Sequence, residues 1–208
     1  MTEYWESRFR EEGAMWKFEP SDSAILALEI FRKNAGNHIL IPGFGYGRNG
    51  KLFYDNGFTV TGIEISESAI RLAKENGIDC TVHHGSVTNM PFDNNVYDAV
   101  FCYALLHLLN KNERRAFLQS CYNQLKPEGL MIFTVVSRQA NMYGTGKRVS
   151  TDRFRMNNGL SVYFYDSDSV AKEFAGFGLL ECRDIDEPIK FMEGQEALKC
   201  KFVICKKK

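Results

Sequence analysis

The feature that most constrains this chain is a short apolar run that ends in closely spaced glycines. His38-Ile39-Leu40-Ile41 stops at Pro42, and Gly43-Phe44-Gly45-Tyr46-Gly47 follows at once. A short unbroken apolar run reads as a buried strand, and the proline–glycine step ends it. Glycines this close together let the backbone turn sharply and approach a ligand where any Cβ would intrude. A buried strand that passes through such a turn into a helix belongs to α/β architecture.

The same rhythm continues along the chain. Lys51 to Asn56 reads as a short helix stopped at Gly57, and Phe58 to Ile63 as a second strand. Ser66 is placed to cap the next helix, whose buried side is Ala69, Ile70, Leu72 and Ala73 and whose stop is Asn76-Gly77. Cys80 to Val82 reads as a third strand and Tyr97 to Tyr103 as a fourth. Asn112 to Leu125 reads as a helix closed by Lys126-Pro127-Glu128-Gly129, and Leu130 to Val136 as a fifth strand. Alternation of this kind predicts a Rossmann-like, mostly parallel sheet with helices on both faces. Leu179 to Ile185 and Leu198 to Lys206 break the pattern, because no helix separates them. They are expected to pair as an antiparallel C-terminal hairpin, which makes seven strands.

The 208 residues fit a single domain, 1–208. Two stretches lie outside the repeating frame: residues 1–37, read as an N-terminal helical arm or lid, and residues 138–160, read as a polar, basic insertion on the substrate side. Both can reach the C-terminal edge of the sheet, where open α/β folds bind ligands. Lys plus Arg equals Asp plus Glu at 26 each, which argues against nucleic acid or an anionic membrane as a partner. The six cysteines form no C-x-x-C pair, so reduced thiols are expected, and the chain reads as cytoplasmic. No apolar stretch approaches the ~20 residues that span a bilayer.

Glu64 ends the second strand about 20 residues beyond the glycines, where a carboxylate can accept from both hydroxyls of a ribose. Loop and acid together describe a nucleoside cofactor lying across the strand tips. Gly45-x-Gly47-x-x-Gly50 also satisfies the dinucleotide fingerprint, so a nicotinamide oxidoreductase is one alternative.

Further pieces separate these options. In order, Ile39 to Gly47, Val60 to Ser66, Met90-Pro91-Phe92 with Tyr97-Asp98-Ala99-Val100, and Leu125 to Leu130 resemble the class I S-adenosylmethionine-dependent methyltransferases over roughly residues 38–206. Gly47-Arg48-Asn49-Gly50 is similar to the tellurite-resistance members. Pro42 with the Trp5 and Trp16 region is similar to the thiol and thiopurine methyltransferases. The resemblance implies S-adenosylmethionine as cofactor and a small-molecule acceptor, with Gly43, Phe44, Gly45, Gly47, Glu64, Ile65, Ser86, Val87, Cys102 and Tyr103 around the cofactor. Two positions depart from the family pattern. Ile41 stands where an acid usually precedes the loop, and Gly85-Ser86-Val87 stands where an aspartate is usual, so Ser86 or a backbone amide serves there. These gaps keep a non-catalytic S-adenosylmethionine-binding protein as a second alternative.

Methyl transfer is an in-line displacement that needs alignment and exclusion of water, and needs a base only when the nucleophile starts protonated. Tyr103 and His107 are the catalytic candidates. Tyr103 either lines the pocket or is a core aromatic, and His107 is either a base or a satisfied structural histidine among leucines. Trp5 and Trp16 are read as an aromatic lid over the bound cofactor that also contacts the substrate, or as packing of an N-terminal helix. Arg138, in a segment that also holds Lys147, Arg148, Arg153 and Arg155, is read either as a substrate-binding cation for a carboxylate or phosphate or as part of a solvated loop. His83 and His84 are neighbours on a strand and point to opposite faces, so no metal is expected there.

Overall fold

Strand β1 (His38–Pro42) sends Ile39 and Ile41 into one apolar cluster and Leu40 into another. A strand buried on both faces in this way must lie inside a sheet that is covered on both sides. The computed structural model of the protein describes residues 2–34, 36–190 and 194–208. Beside β1 run β2 (Thr59–Glu64), β3 (Thr81–His84), β4 (Tyr97–Tyr103) and β5 (Leu125–Val136). Adding β9 (Leu179–Glu187) and β10 (Leu198–Lys206) gives the order β3-β2-β1-β4-β5-β10-β9. The first five are mutually parallel, whereas β10 lies antiparallel to both β5 and β9. The Rossmann-like, seven-stranded expectation and its terminal hairpin are therefore observed.

Helices α2 (Asp22–Asn34) and α3 (Arg48–Asp55) cover one face through Ala24, Ala27, Phe31 and Phe53. Helices α5 (Lys111–Asn123) and α6 (Ser167–Phe174) cover the other through Phe117, Leu118, Val170 and Phe174. Ser66 caps α4 (Glu67–Glu75) by accepting from the Ala69 amide, as its position suggested. The turn Lys126 to Gly129 lies within β5 rather than ahead of it. Leu125 already pairs with Tyr97, Leu130 pairs with Ala99, and the residues between bulge outward.

Residues 138–160 are not a bare loop. They hold β6 (Lys147–Ser150) and β7 (Arg153–Arg155), which with β8 (Ser161–Tyr163) form a separate antiparallel sheet. Its inner side chains, Phe154 and Val162, build a small core with Leu108, Val136, Ala140 and Phe164. The first 37 residues also divide. Helix α2 belongs to the main core, while α1 (Thr2–Glu12) lies against α4 and buries only Phe9. Among the described residues no helix is long and apolar enough to cross a membrane.

Candidate functional site

The tips of β1 and β2 bring the glycine loop onto Glu64. The Gly45 amide donates to Glu64 Oε2 at 2.7 Å, and the Ile65 and Ser66 amides donate to Oε1 at 2.8 and 3.0 Å. Gly45 reaches this position with φ 59°, a conformation that a side chain would strain. Glu64 is 5% exposed, and burial pushes its carboxyl above the usual glutamate range against the pull of the three amides.

Gly47 shares the left-handed backbone, with φ 80°, and it and Gly50 have a further task. A Cβ on Gly47 would run into Ile78 and the Phe44 ring, and one on Gly50 into the same ring. Phe44 is buried with Ile41 and Ile78 in the core cluster behind the loop, and these glycines make room for it. The dinucleotide fingerprint is thus satisfied by the packing of an aromatic side chain.

A cavity of about 480 Å³ opens over the loop, within the ~300–1,000 Å³ usual for ligand sites. One half is lined by Gly43, Phe44, Gly45, Glu64, Ile65, Ser86 and Val87, the other by Leu108, Val136, Met142, Met156, Leu160 and Val162. Tyr103 and His107 also line it. The second half is the inner side of the small sheet. Three residues named from the sequence stand off the cavity. Gly47 is behind Phe44, Cys102 is fully buried in the opposite cluster, and Arg138 is paired with Asp152 and Asp166. Alternation along β4 explains the second, since Tyr103 and Cys102 face opposite sides of the sheet.

The N-terminal arm roofs the cavity. Trp5, Phe9 and Trp16 line it, and Trp16 stacks on Tyr46 with ring centroids 6.2 Å apart. The Tyr46 hydroxyl donates to the Lys17 carbonyl at 2.6 Å and accepts from the Trp16 amide at 3.0 Å. Glu6 fastens α1 to the start of α4, accepting from Ser66 Oγ at 2.7 Å and from Ser68 Oγ at 2.6 Å. These bonds hold the Glu6 carboxyl down at about 2.

His107 is 5% exposed, and burial next to the Arg153 guanidinium pushes its imidazole down to about 3. A ring in that state is neutral near pH 7 and a weak base. Arg153 is held by the carbonyls of Leu108 and Leu109, which pins β7 over the turn that carries His107. Of the other cations in the 138–160 segment, Lys147, Arg148 and Arg155 are exposed.

Sequence reasoning missed several charged lining residues. Arg48, the first residue of α3, has its guanidinium 5.3 Å from the Tyr103 ring centroid and 6.0 Å from that of Trp16. Glu187 ends β9 and accepts from the Asp22 and Ser23 amides, acting as the cap of α2 across 165 residues of sequence. Lys190 pairs with Glu19 and Asp22. For Arg48 a signal existed, because the first turn after a glycine loop faces the ligand. For Glu187 and Lys190 there was none, since their partners lie at the other end of the chain.

Residues 39–129 match the family model described as a methyltransferase domain. The tRNA N(3)-methylcytidine methyltransferase Mettl2 of Drosophila melanogaster is 25% identical over 171 residues, covering 77% of this chain and 52% of that protein. The ubiquinone biosynthesis O-methyltransferase of Pseudomonas entomophila (strain L48) is 28% identical over 119 residues, 52% of this chain and 48% of that protein. The chain therefore spans about half the length of the curated relatives it matches. Burkholderia thailandensis 1,6-didemethyltoxoflavin-N1-methyltransferase, solved with 1,6-didemethyltoxoflavin and S-adenosylhomocysteine bound, superposes with a TM-score of 0.75. At 16% identity over 99% of this chain and 86% of that one, it shows a shared fold.

Proposed function

We propose that this chain, whose residues 39–129 match the methyltransferase domain family, binds S-adenosylmethionine over the strand tips and methylates a small-molecule acceptor. The observation that carries the reading is one continuous cavity running from the Gly45–Glu64 contact to the apolar inner side of the small sheet. It offers a nucleoside end and an acceptor end under a single roof.

The residues present fit the cofactor. Glu64 Oε1 accepts two amides but Oε2 only one, so Oε2 keeps capacity for a ribose hydroxyl. Gly43, Phe44, Gly45, Ile65, Ser86 and Val87 form the surrounding wall. Ser86 Oγ accepts from the Thr88 amide at 3.3 Å and keeps a second lone pair, so Ser86 or a backbone amide can read the adenine edge. Arg48 donates to the Glu19 carbonyl and has no carboxylate partner among the described residues, which suits it to the cofactor's carboxylate. When bound, S-adenosylmethionine supplies an electrophilic methyl group on a sulfonium.

What the chain itself contributes is enclosure and alignment. The arm, with Trp5 and Trp16, is read as a lid that excludes water. The 138–160 segment with β8 is read as the acceptor wall, and Tyr103 and His107 as contacts at the junction of the two halves. The structural neighbour binds a small heteroaromatic acceptor, and small size suits a roofed cavity of this volume. The match to a tRNA methyltransferase favours a second reading, a nucleic-acid acceptor. A net charge of zero weighs against it.

Calorimetry with S-adenosylhomocysteine and with NAD is the primary test, with adenosylhomocysteine binding expected. NAD binding without an adenosylhomocysteine signal would overturn the reading. Labelled-methyl transfer to thiols, phenols and N-heterocycles, with tRNA as a separate arm, then sorts the acceptor class.

A further inference from the structure

The acceptor half holds one polar group whose direction can be read from its surroundings. His107 sits in the short turn Leu106–Leu108 after β4, with the Val136 amide directed at its Nδ1 at 3.4 Å. An amide donor opposite Nδ1 requires Nδ1 to be the accepting nitrogen, which puts the ring proton on Nε2. The Arg153 guanidinium, fixed on the Leu108 and Leu109 carbonyls, disfavours a second proton on the ring. Nε2 has no hydrogen-bond partner among the described residues, and His107 belongs to the cavity lining.

The other charges lining the cavity already have protein partners. Glu187 caps α2, Lys190 is paired with Glu19 and Asp22, and the Glu113 carboxylate accepts from the Asn110 amide at 2.7 Å. Arg48 stands against the Trp16 and Tyr103 rings. Around His107 the wall is Leu108, Val136, Met156, Leu160 and Val162. Arg153 stands behind His107, bound to the Leu108 and Leu109 carbonyls and outside the lining, so a charged acceptor entering there would lose its hydration without touching a counter-ion.

We propose that His107 is a fixed hydrogen-bond donor of the acceptor half, whose Nε2–H binds a lone pair on an uncharged, apolar acceptor and whose ring does not take that acceptor's proton. The proposal rests on the methyltransferase reading for the identity of the ligand as an acceptor, while the state of the ring stands independently. The acceptors it admits are neutral molecules with an apolar body and one heteroatom presented to the ring. Methionine side chains in the wall can reshape around differing apolar bodies.

The test uses the full chain with ¹⁵N-labelled imidazoles. There are four histidines, so long-range ¹H–¹⁵N spectra are readily assigned with His107→Gln. If that variant fails to fold, the His107 signal is the one left unchanged by His38→Gln, His83→Gln and His84→Gln. We expect the His107 ring to remain neutral with its proton on Nε2 from pH 8 to 5. Its Nε2 resonance should move on addition of 4-methylphenol to the adenosylhomocysteine-saturated protein, and not with 4-methylbenzoate. A ring that titrates in this range, or one that carries its proton on Nδ1, overturns the donor. An equal response to the benzoate, or no response to either probe, overturns the neutral acceptor class. Adenosylhomocysteine binding measured on the same sample keeps these failures distinct from failure of the methyltransferase reading.

Discussion

A carboxylate that receives three backbone amides organises its surroundings as much as it binds a ligand. Glu64 ties the glycine loop to the first turn after β2, so Glu64→Ala should loosen the loop and remove the ribose acceptor together. Calorimetry should show adenosylhomocysteine binding weakened by about 1–3 kcal/mol, the scale of a lost charged hydrogen-bond partner. The pH dependence follows from the direction of its shift. A raised carboxyl protonates at a higher pH than a free glutamate, and the protonated form accepts poorly. Affinity should therefore begin to fall while the pH is still above the ordinary glutamate range, and Glu64→Gln should be weak and flat throughout. At this scale the acid and the glycine that donates to it, Gly45, were legible in the sequence, because local spacing alone dictates them. The role of Gly47 and Gly50 was not, since a glycine that clears an aromatic ring and one that clears a ligand look alike until Phe44 is placed. The protonation state of His107 was equally hidden, because it depends on an amide 29 residues away.

Elements that carry the roof and wall of the cavity are held by few contacts, and those contacts can be probed singly. Glu6 on α1 joins the capping serine of α4 to Ser68, and the bond is strongest when Glu6 is ionised. Its carboxyl lies at about 2, below the ordinary 4.5. The stabilisation is then complete above 4.5 and is lost as the pH falls from there through about 2. Glu6→Gln should mimic the acid end of that window at neutral pH, freeing α1 at a cost of about 1 kcal/mol after solvent screening. Both tryptophans lie in the arm, so a red shift of intrinsic fluorescence reads out its release. An unchanged emission spectrum would mean that the aromatic contacts hold the arm without Glu6. On the opposite wall, Arg153→Met removes the clamp between β7 and the Leu108–Leu109 carbonyls. Hydrogen exchange should quicken across residues 147–163, while adenosylhomocysteine affinity stays within twofold. Helices α3, α4 and α5 and the inner strands were readable from periodicity, whereas α2 was merged with the arm although it packs on the main core. The small sheet was not, because strands of three or four residues, rich in basic and hydroxyl side chains, carry the composition of a loop.

At the scale of the molecule, the ligand end of the cavity is assembled from pieces that fold against different partners. The main sheet supplies its floor through β1, β2 and β4, and α1 supplies its roof. The β9–β10 connection meets the arm through Lys190, and Glu187 fixes the start of α2. The N-terminal arm and the β9–β10 connection therefore converge on one site, although nothing local in either segment announces it. Such an arrangement predicts that a cofactor stabilises the whole fold, because binding braces floor and roof at once. For one site at a free ligand concentration of 100 times Kd, the gain is roughly 2.7 kcal/mol. In a chain of this length each kcal/mol moves the melting temperature by about 2–4 °C, so adenosylhomocysteine should raise it by roughly 5–10 °C. NAD at the same concentration should leave it unchanged, because Gly47 and Gly50 are occupied with Phe44 and present no cradle for a pyrophosphate. Glu6→Gln should lower the melting temperature of the free protein by a few degrees. It should also reduce the adenosylhomocysteine increment, because a roof that is already loose must be ordered at the expense of binding. Differential scanning calorimetry of the two proteins, with and without ligand, measures all four quantities. Equal increments in both would show that the roof contributes nothing to holding the ligand.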